Sequence, residues 1–319
     1  YVAAHRPCAF TSGLMPQSAH PWSLPSPLQV GDSVTIAAPS SAVCDEASLH
    51  AGIAVLESWG LNVNTPTCLG RHWGYLAGRD SERSSDLSAD AGSPLLACAR
   101  GGWGAARLLE HGVPWKEGWF LGFSDVTALL CSRMASGFGG GIHGPLVTTL
   151  AGEPAWSQQR LHDLLFGHPV ASLQGTSWAE GTGSGPLITV NLTVASHLLG
   201  SRHLPDLSGA ILVIEDVGEA PYRLDRMLTH WRLIGALQNL AGLGFGRFSG
   251  CDDAENSDPA HTFSLEQVLR ERTQDLGCPV VADLPVGHGN GGNAALPLGV
   301  RAQLDGINAT LTLQLPTQR

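Results

Sequence analysis

Charge is scarce in this chain, and what there is leans negative. Only 14% of the 319 residues are Asp, Glu, Lys or Arg, and the formal net charge is -10. Without a basic surplus there is no electrostatic footprint for a phosphate backbone or an anionic membrane surface, so neither nucleic acid nor membrane is expected as a partner. Paired cysteines are missing too. The seven, at 8, 44, 68, 98, 131, 251 and 278, are odd in number, widely spaced, and form no Cys-x-x-Cys unit of a zinc or redox site. A reducing cytoplasm suits them. No window approaches the roughly 18 consecutive apolar residues of a membrane span. Residues 1–27 are rich in Pro, Ser and His, lack the basic and apolar regions of a secretory signal, and read as an N-terminal extension. "GGWGAARLL" has neither the Lys-Ser/Thr of a P-loop nor the spacing of a dinucleotide loop, so no nucleotide cofactor is expected.

With 43% hydrophobic residues the chain can bury a substantial core, and its length suits two ordinary domains. "DSVTIAAPSS" reads as a buried strand and "DEASLHAGIAVLESWG" as a helix stopped by Gly60. The alternation continues: "LNVNTPT", then "PLLACARGG" before a helix in "WGAARLLEHG", then "WFLGFSD" before "VTALLCSRMASG". Strand and helix in turn predict an α/β fold with a parallel sheet covered on both faces. After the helix "AWSQQRLHDLLFG" the composition changes, and the Gly-, Ser- and Thr-rich residues 167–184 read as a linker. The expected division is therefore 28–166, a linker at 167–184, and a smaller mixed β/α unit at 185–319. That second unit should hold a helical stretch at 191–200, the strand "GAILVIED", a long helix from Pro221 to about Leu240, two further strands around "FSLEQVLRERTQDLG", and a closing hairpin turned at Asp305-Gly306.

In parallel α/β sheets ligands gather at the carboxyl ends of strands, so polar residues just after strands come first. Four stretches qualify: "ARGGWG" (99–104), "GFSD" (122–125), "IED" (214–216) and "VGHGN" (286–290). A serine hydroxyl needs a base to become a nucleophile, and the base needs a carboxylate to fix its tautomer. Ser124, His288 and Glu215 supply such a set. Ser124 precedes a helix and is equally a candidate N-cap. His143, in "GGGIHGPL", competes with His288 as base, and Asp216 and Glu219 compete with Glu215. The amides of Gly102 and Asp125 could receive an oxyanion, with Gly101 close by. Cys131 reads as core. The acidic residues of "CDDAE" (251–255) read as solvated rather than metal-binding, and no metal is expected.

Taken in order, "IAAPSS", "ARGGWGAARLL", "GFSDVTALL", "HGP", "ILVIEDVGEAPYRLDRML" and "DLPVGHG" resemble the murein LD-carboxypeptidases and the related microcin-immunity peptidases, from about Leu28 onwards. The resemblance implies a serine peptidase with a glutamine-amidotransferase-like first domain and a smaller second domain supplying acid and base. It assigns the nucleophile to Ser124, the carboxylate to Glu215, the base to His288 and the oxyanion donors to Gly102 and Asp125, with Gly101 and Asn191 as substrate-binding candidates. It further implies a cofactor-free cytoplasmic homodimer that removes terminal D-alanine from murein tetrapeptides. One departure is "ITVNLTVASHLLG", which keeps Asn191 but lacks the Gly-Gly that family members often carry before it. A microcin-immunity enzyme would instead cleave an aminoacyl-nucleotide amide, with Trp156 or Trp178 to stack the base. A silent murein-peptide sensor is the non-enzymatic alternative. An α/β-hydrolase esterase expects Gly-x-Ser-x-Gly, and Val126 stands where its second glycine would be.

Overall fold

The computed structural model describes residues 22–88, 92–252 and 261–315. Most of the expected extension, and Asp253 and Glu255 of the acidic stretch, lie outside them. The elements run β1 (Ser33–Ala37), α1 (Glu46–Ser58), β2 (Asn62–Val63), α2 (Asp80–Ser88), β3 (Leu95–Cys98), β4 (Trp119–Gly122), α3 (Thr127–Ala135), β5 (Gly141–His143), α4 (Val147–Leu150) and α5 (Ala155–Leu165). Then come β6 (Leu173–Gln174), β7 (Thr176–Ala179), β8 (Thr182–Asn191), α6 (Leu192–Ser196), β9 (Ile211–Val217), α7 (Pro221–Leu233), β10 (Gly242–Ser249), α8 (Leu265–Thr273), β11 (Val280–Ala282), β12 (Leu296–Pro297), β13 (Arg301–Asp305) and β14 (Thr310–Leu313). They build a two-domain mixed α/β fold on two sheets, ordered β12-β5-β4-β3-β1-β2 and β6-β14-β13-β8-β9-β10-β11-β7. No helix among the described residues is long and apolar enough to cross a membrane.

The first sheet is parallel from β2 through β5, as the strand-helix alternation requires. Its outer strand is borrowed. β12, from the far end of the chain, pairs antiparallel with β5 so that Leu296 lies opposite His143. In the second sheet β8, β9, β10 and β11 are parallel, flanked by antiparallel β7 on one side and by β13, β14 and β6 on the other. One apolar cluster runs through both units, joining Phe123, Leu129 and Met134 of the first to Ile188, Ile214, Leu228 and Trp231 of the second. An apolar seam of this kind fixes the two units against each other, where a polar one would let them move.

Several elements differ from the sequence reading, each for a local reason. The stretch 167–184 is not an open linker: it forms β6, β7 and the start of β8, with the Ser177 hydroxyl donating to the Gly306 carbonyl. Its small polar residues resemble a loop because they sit at sheet edges where little apolar surface is buried. The helix expected in "WGAARLLEHG" is a 3₁₀ turn over Ala105–Glu110, entered through Gly104 at φ 119°. α7 stops at Leu233 rather than near Leu240 because Gly235, at φ 77°, turns the chain. The closing hairpin bends over four residues, with the Asp305 carboxylate accepting from the amides of Ile307 and Asn308 at 2.9 Å each. Trp22 is also ordered, its indole donating to the Met134 carbonyl at 3.1 Å.

Backbones approach closely where the second sheet meets its connections. A Cβ on Gly185, in β8, would run into the Gly209 carbonyl. Gly185→Ala should therefore cost about 1–3 kcal/mol, read as a lower urea midpoint with an unchanged slope. An unmoved midpoint would refute this close approach.

Candidate active site

β4 ends at Gly122, Phe123 is extended, and Ser124 opens a 3₁₀ turn over Ser124–Val126 before α3. Ser124 takes φ 62°, a left-handed conformation that a serine adopts at a cost of order 1–3 kcal/mol. No side-chain bond from Ser124 caps the helix; Val126 occupies the N-cap position of α3. Instead the Ser124 Oγ lies 3.1 Å from His288 Nε2. The His288 Nδ1 lies 2.7 Å from Glu215 Oε2, and the His288 amide donates to the same oxygen at 3.2 Å. With Nδ1 donating to the carboxylate, Nε2 is the nitrogen left to accept from the serine hydroxyl.

Glu215 is fully buried on β9. It stands at an irregularity of the β9–β10 pairing, where the register jumps between Phe245 and Phe248. Glycine lines both sides of it: a Cβ on Gly287 would come within 2.5 Å of Oε2, and one on Gly246 within 3.1 Å of the Glu215 Cβ. Burial of this carboxyl works to raise its pKa, while the hydrogen bond from His288 and the nearby imidazole of His143 work the other way and hold it at about 2.

The rivals fall elsewhere. His143 is fully buried against Phe123, with its Nε2 3.9 Å from Glu215 Oε1 and neither ring nitrogen hydrogen-bonded. It flanks the carboxylate and is not bonded to Ser124. Asp216 accepts from the amide and hydroxyl of Thr193, at 2.8 and 2.7 Å. Glu219 pairs with Arg223 at the surface. Asn191, expected as a substrate-binding candidate, is buried: its Oδ1 caps α6 through the Val194 amide, and its Nδ2 lies 3.2 Å from both Glu215 Oε1 and Asp216 Oδ1. It is buried and does not line the cleft beside Ser124, so it supports the carboxylate from within the protein. Cys131 is core, its thiol pushed up to about 12 by burial.

Gly101 packs against the serine turn, since a Cβ there would lie 2.9 Å from the Ser124 Cβ, 3.0 Å from Oγ and 3.6 Å from the Asp125 nitrogen. Gly102, at φ 109°, leaves room for the Ser41 hydroxyl, which accepts from the Trp103 amide at 3.1 Å. The Asp125 carboxylate is buried and accepts from the Ala105 amide at 2.8 Å, tying the 99–104 loop to the turn; burial raises its pKa. A cleft of about 320 Å³ opens beside Ser124, lined by Arg100, Gly101, Gly102, Leu146, Thr148 and His288 on one part and by Val43, Cys44, Asp45 and Ser48 on another. Trp156 and Trp178 do not line it: Trp156 lies against Gly292, and Trp178 packs on Phe245 beneath Arg270. His162, Asp163 and His168 are the side chains among the described residues that could converge on a metal ion. Both histidines already bond the Asp163 Oδ1, at 3.2 and 3.1 Å, and none of the three lines the cleft.

The comparisons with known proteins agree with this architecture. Residues 34–144 match the family model of the LD-carboxypeptidase N-terminal domain, and residues 184–304 that of the LD-carboxypeptidase C-terminal domain. The chain belongs to the LD-carboxypeptidase family. A Synechocystis sp. protein provisionally named a carboxypeptidase is 47% identical over 295 residues, covering 90% of this chain and 96% of the relative. The murein tetrapeptide carboxypeptidase of Pseudomonas aeruginosa is 34% identical over 305 residues, covering 86% of this chain and 93% of its own. Among solved structures, a muramoyltetrapeptide carboxypeptidase from Oxalobacter formigenes superposes with a TM-score of 0.77 at 28% identity, covering 88% of this chain and 97% of that one. The microcin C7 self-immunity protein MccF gives 0.77 at 19% identity, over 93% and 100%, and so shares the fold.

Residues that sequence reasoning missed hold this family member's site together across its two units. The Asn293 amide donates to Glu153 Oε2 at 2.7 Å, its Oδ1 accepts from the Gly287 amide at 2.8 Å, and its carbonyl accepts from the Ser157 hydroxyl at 2.9 Å. The Ser249 hydroxyl donates to the His288 carbonyl at 2.8 Å. None carries a local signal; each matters only because two distant loops meet.

A glutamate held below its ordinary 4.5 contributes stability that is complete above about pH 4.5 and is lost as the pH falls through about 2. The urea midpoint of the unsubstituted protein should therefore fall relative to Glu215→Gln across that window. A constant difference between the two from pH 4.5 to 2 would rule the ionised, partnered Glu215 out.

Proposed function

We propose that this family member is a serine carboxypeptidase that hydrolyses the L,D amide before a terminal D-alanine in murein tetrapeptides. The observation that carries the reading is the relay from Ser124 Oγ through His288 to buried Glu215, with both links at hydrogen-bond distance. As Oγ attacks the carbonyl carbon, His288 Nε2 takes its proton, and Glu215 stabilises the imidazolium that forms. The tetrahedral oxyanion is received by the amides of Gly102 and Asp125, beside the position at which Gly101 meets the serine turn. Collapse breaks the C–N bond, His288 gives its proton to the departing amine, and D-alanine leaves an acyl ester on Ser124. Water, deprotonated by His288, then cleaves the ester and restores the hydroxyl.

In this reading the first unit, 28–166, is a glutamine-amidotransferase-like nucleophile domain and the second, 185–319, brings acid and base. The enzyme works as a cytoplasmic homodimer on recycled wall peptides, without a cofactor. The names of the Pseudomonas and Oxalobacter relatives support the murein peptide as substrate. An aminoacyl-nucleotide substrate is less favoured, because the two tryptophans considered for base stacking belong to other surfaces.

Incubation with a tetrapeptide ending in D-alanine should release free D-alanine. Ser124→Ala should lower kcat by at least about 10³-fold with an unchanged circular dichroism spectrum. Equal rates in the two proteins would eliminate Ser124 as nucleophile. Faster turnover of a peptidyl-nucleotide amide than of the tetrapeptide would reassign the substrate.

A further inference from the structure

An enzyme that removes one terminal residue must distinguish a chain end from an internal bond, and the chemical difference is a carboxylate. Bringing that anion out of water into a cleft costs several kcal/mol unless a charged donor compensates for the lost hydration. Among the residues lining the Ser124 cleft, Arg100 carries the permanent positive charge. It directly precedes Gly101, whose backbone abuts Ser124, and directly follows the end of β3 and Ala99, whose carbonyl accepts from the Thr148 amide and hydroxyl at 3.0 and 2.9 Å. The cation is thus mounted on a firmly held strand end, one residue from the proposed oxyanion loop.

Its bonding is unlike that of the neighbouring arginines. Arg71 pairs with Asp86 at 2.5 Å, and Arg83 and Arg107 pair with Asp80 at 2.6 and 2.9 Å. Among the described residues no carboxylate pairs with Arg100; its Nη1 donates to the Ala42 carbonyl at 2.9 Å, and its Nη2 lies 3.8 Å from where a Gly102 Cβ would stand. One anchoring bond orients the guanidinium and leaves donors for a ligand. The acid in the same cleft, Asp45, is already committed to the N-terminus of α1, accepting from the amide and hydroxyl of Ser48 at 3.0 and 2.5 Å. An incoming carboxylate is repelled there and attracted at Arg100. Arg247, the other arginine near the His288 loop, donates to the Gly292 carbonyl and does not line the cleft.

We propose that Arg100 is the specificity residue that receives the free C-terminal carboxylate of the substrate and so makes the enzyme a carboxypeptidase rather than an endopeptidase. This rests on the peptidase reading above and deepens it. The test compares two substrates, the tetrapeptide ending in D-alanine and the same peptide ending in D-alanine amide, in the full chain and in Arg100→Ala and Arg100→Lys. The unsubstituted enzyme should prefer the acid by about 100-fold in kcat/KM, as expected for a charge-assisted pair. Arg100→Ala should bring that ratio to within a few-fold of one, and Arg100→Lys should restore part of it. Because each ratio is taken within one protein, a loss of folded enzyme cancels. A ratio that stays near the unsubstituted value in Arg100→Ala overturns the role of Arg100 while leaving the peptidase reading intact. Absence of turnover with both peptides in the unsubstituted enzyme overturns both.

Discussion

A carboxylate with no exposure to water organises this molecule. Glu215 sits in the interior of the second sheet, where an unpartnered charge would be prohibitive, and its surroundings are arranged to keep it ionised. The β9–β10 pairing loses register beside it, which opens space; Gly246 and Gly287 supply no Cβ to fill that space; Asn191 and the amide and ring of His288 turn donors towards it. The glycine of the Gly-His pair is thus explained by contact with Glu215 and not by the turn alone. Replacing it with any side chain would push the carboxylate away from the imidazole it orients.

This carboxylate and Ser124 belong to different units, so the contacts from Ser124 through His288 to Glu215 depend on how the two units are locked. Three devices do this. An apolar cluster runs continuously from Phe123 and Leu129 to Ile214 and Trp231. β12 leaves the second unit to complete the first sheet beside His143. Asn293, between them in the chain, is held at once by Glu153 and Ser157 of the first unit and by Gly287 of the second. Removing only the last would leave the units together and the His288 loop loose, which separates stability from positioning in principle.

The sequence made the chemistry more legible than the architecture. Strand ends are where a parallel sheet presents polar groups, so Ser124, two residues past β4, and Glu215, near the end of β9, come forward as candidates by position, while the choice of His288, six residues past β11, over His143 rests on the resemblance. Glu215 leads Asp216 and Glu219 by its place at the strand end, and the structure keeps that order: the pleat turns Glu215 towards His288 and Asp216 towards Thr193, while Glu219, beyond β9, pairs with Arg223. The run "LPLGVRAQL" reads as one strand, but it divides into β12, which pairs with β5, and β13; the two residues of β12, Leu296 and Pro297, carry no periodicity that would show the split. The edge strands β6 and β7 looked like a linker because edge positions tolerate Gly, Ser and Thr. Asn191 was misplaced for another reason: its side chain reaches back into the protein, a direction that neither strand nor helix pattern encodes.

Whether Ser124 caps a helix or serves as a nucleophile comes down to strain and hydrogen bonding. A capping serine holds extended backbone and spends its oxygen on an amide in the first turn. Ser124 does neither: its φ is 62°, and its Oγ is bonded to an imidazole 164 residues away in the chain. Glycine would occupy that backbone without cost, and the neighbouring Gly101 and Gly122 show that the loop uses glycine where close approach demands it: a Cβ on Gly122 would lie 2.6 Å from Val126 Cγ1. A serine at this position, with its hydroxyl bonded to His288 beside a cleft, carries a backbone cost that glycine would not, which is the feature the nucleophile proposal explains. The left-handed step also leaves Oγ 3.1 Å from His288 Nε2, with the Asp125 nitrogen 3.6 Å from where a Gly101 Cβ would stand.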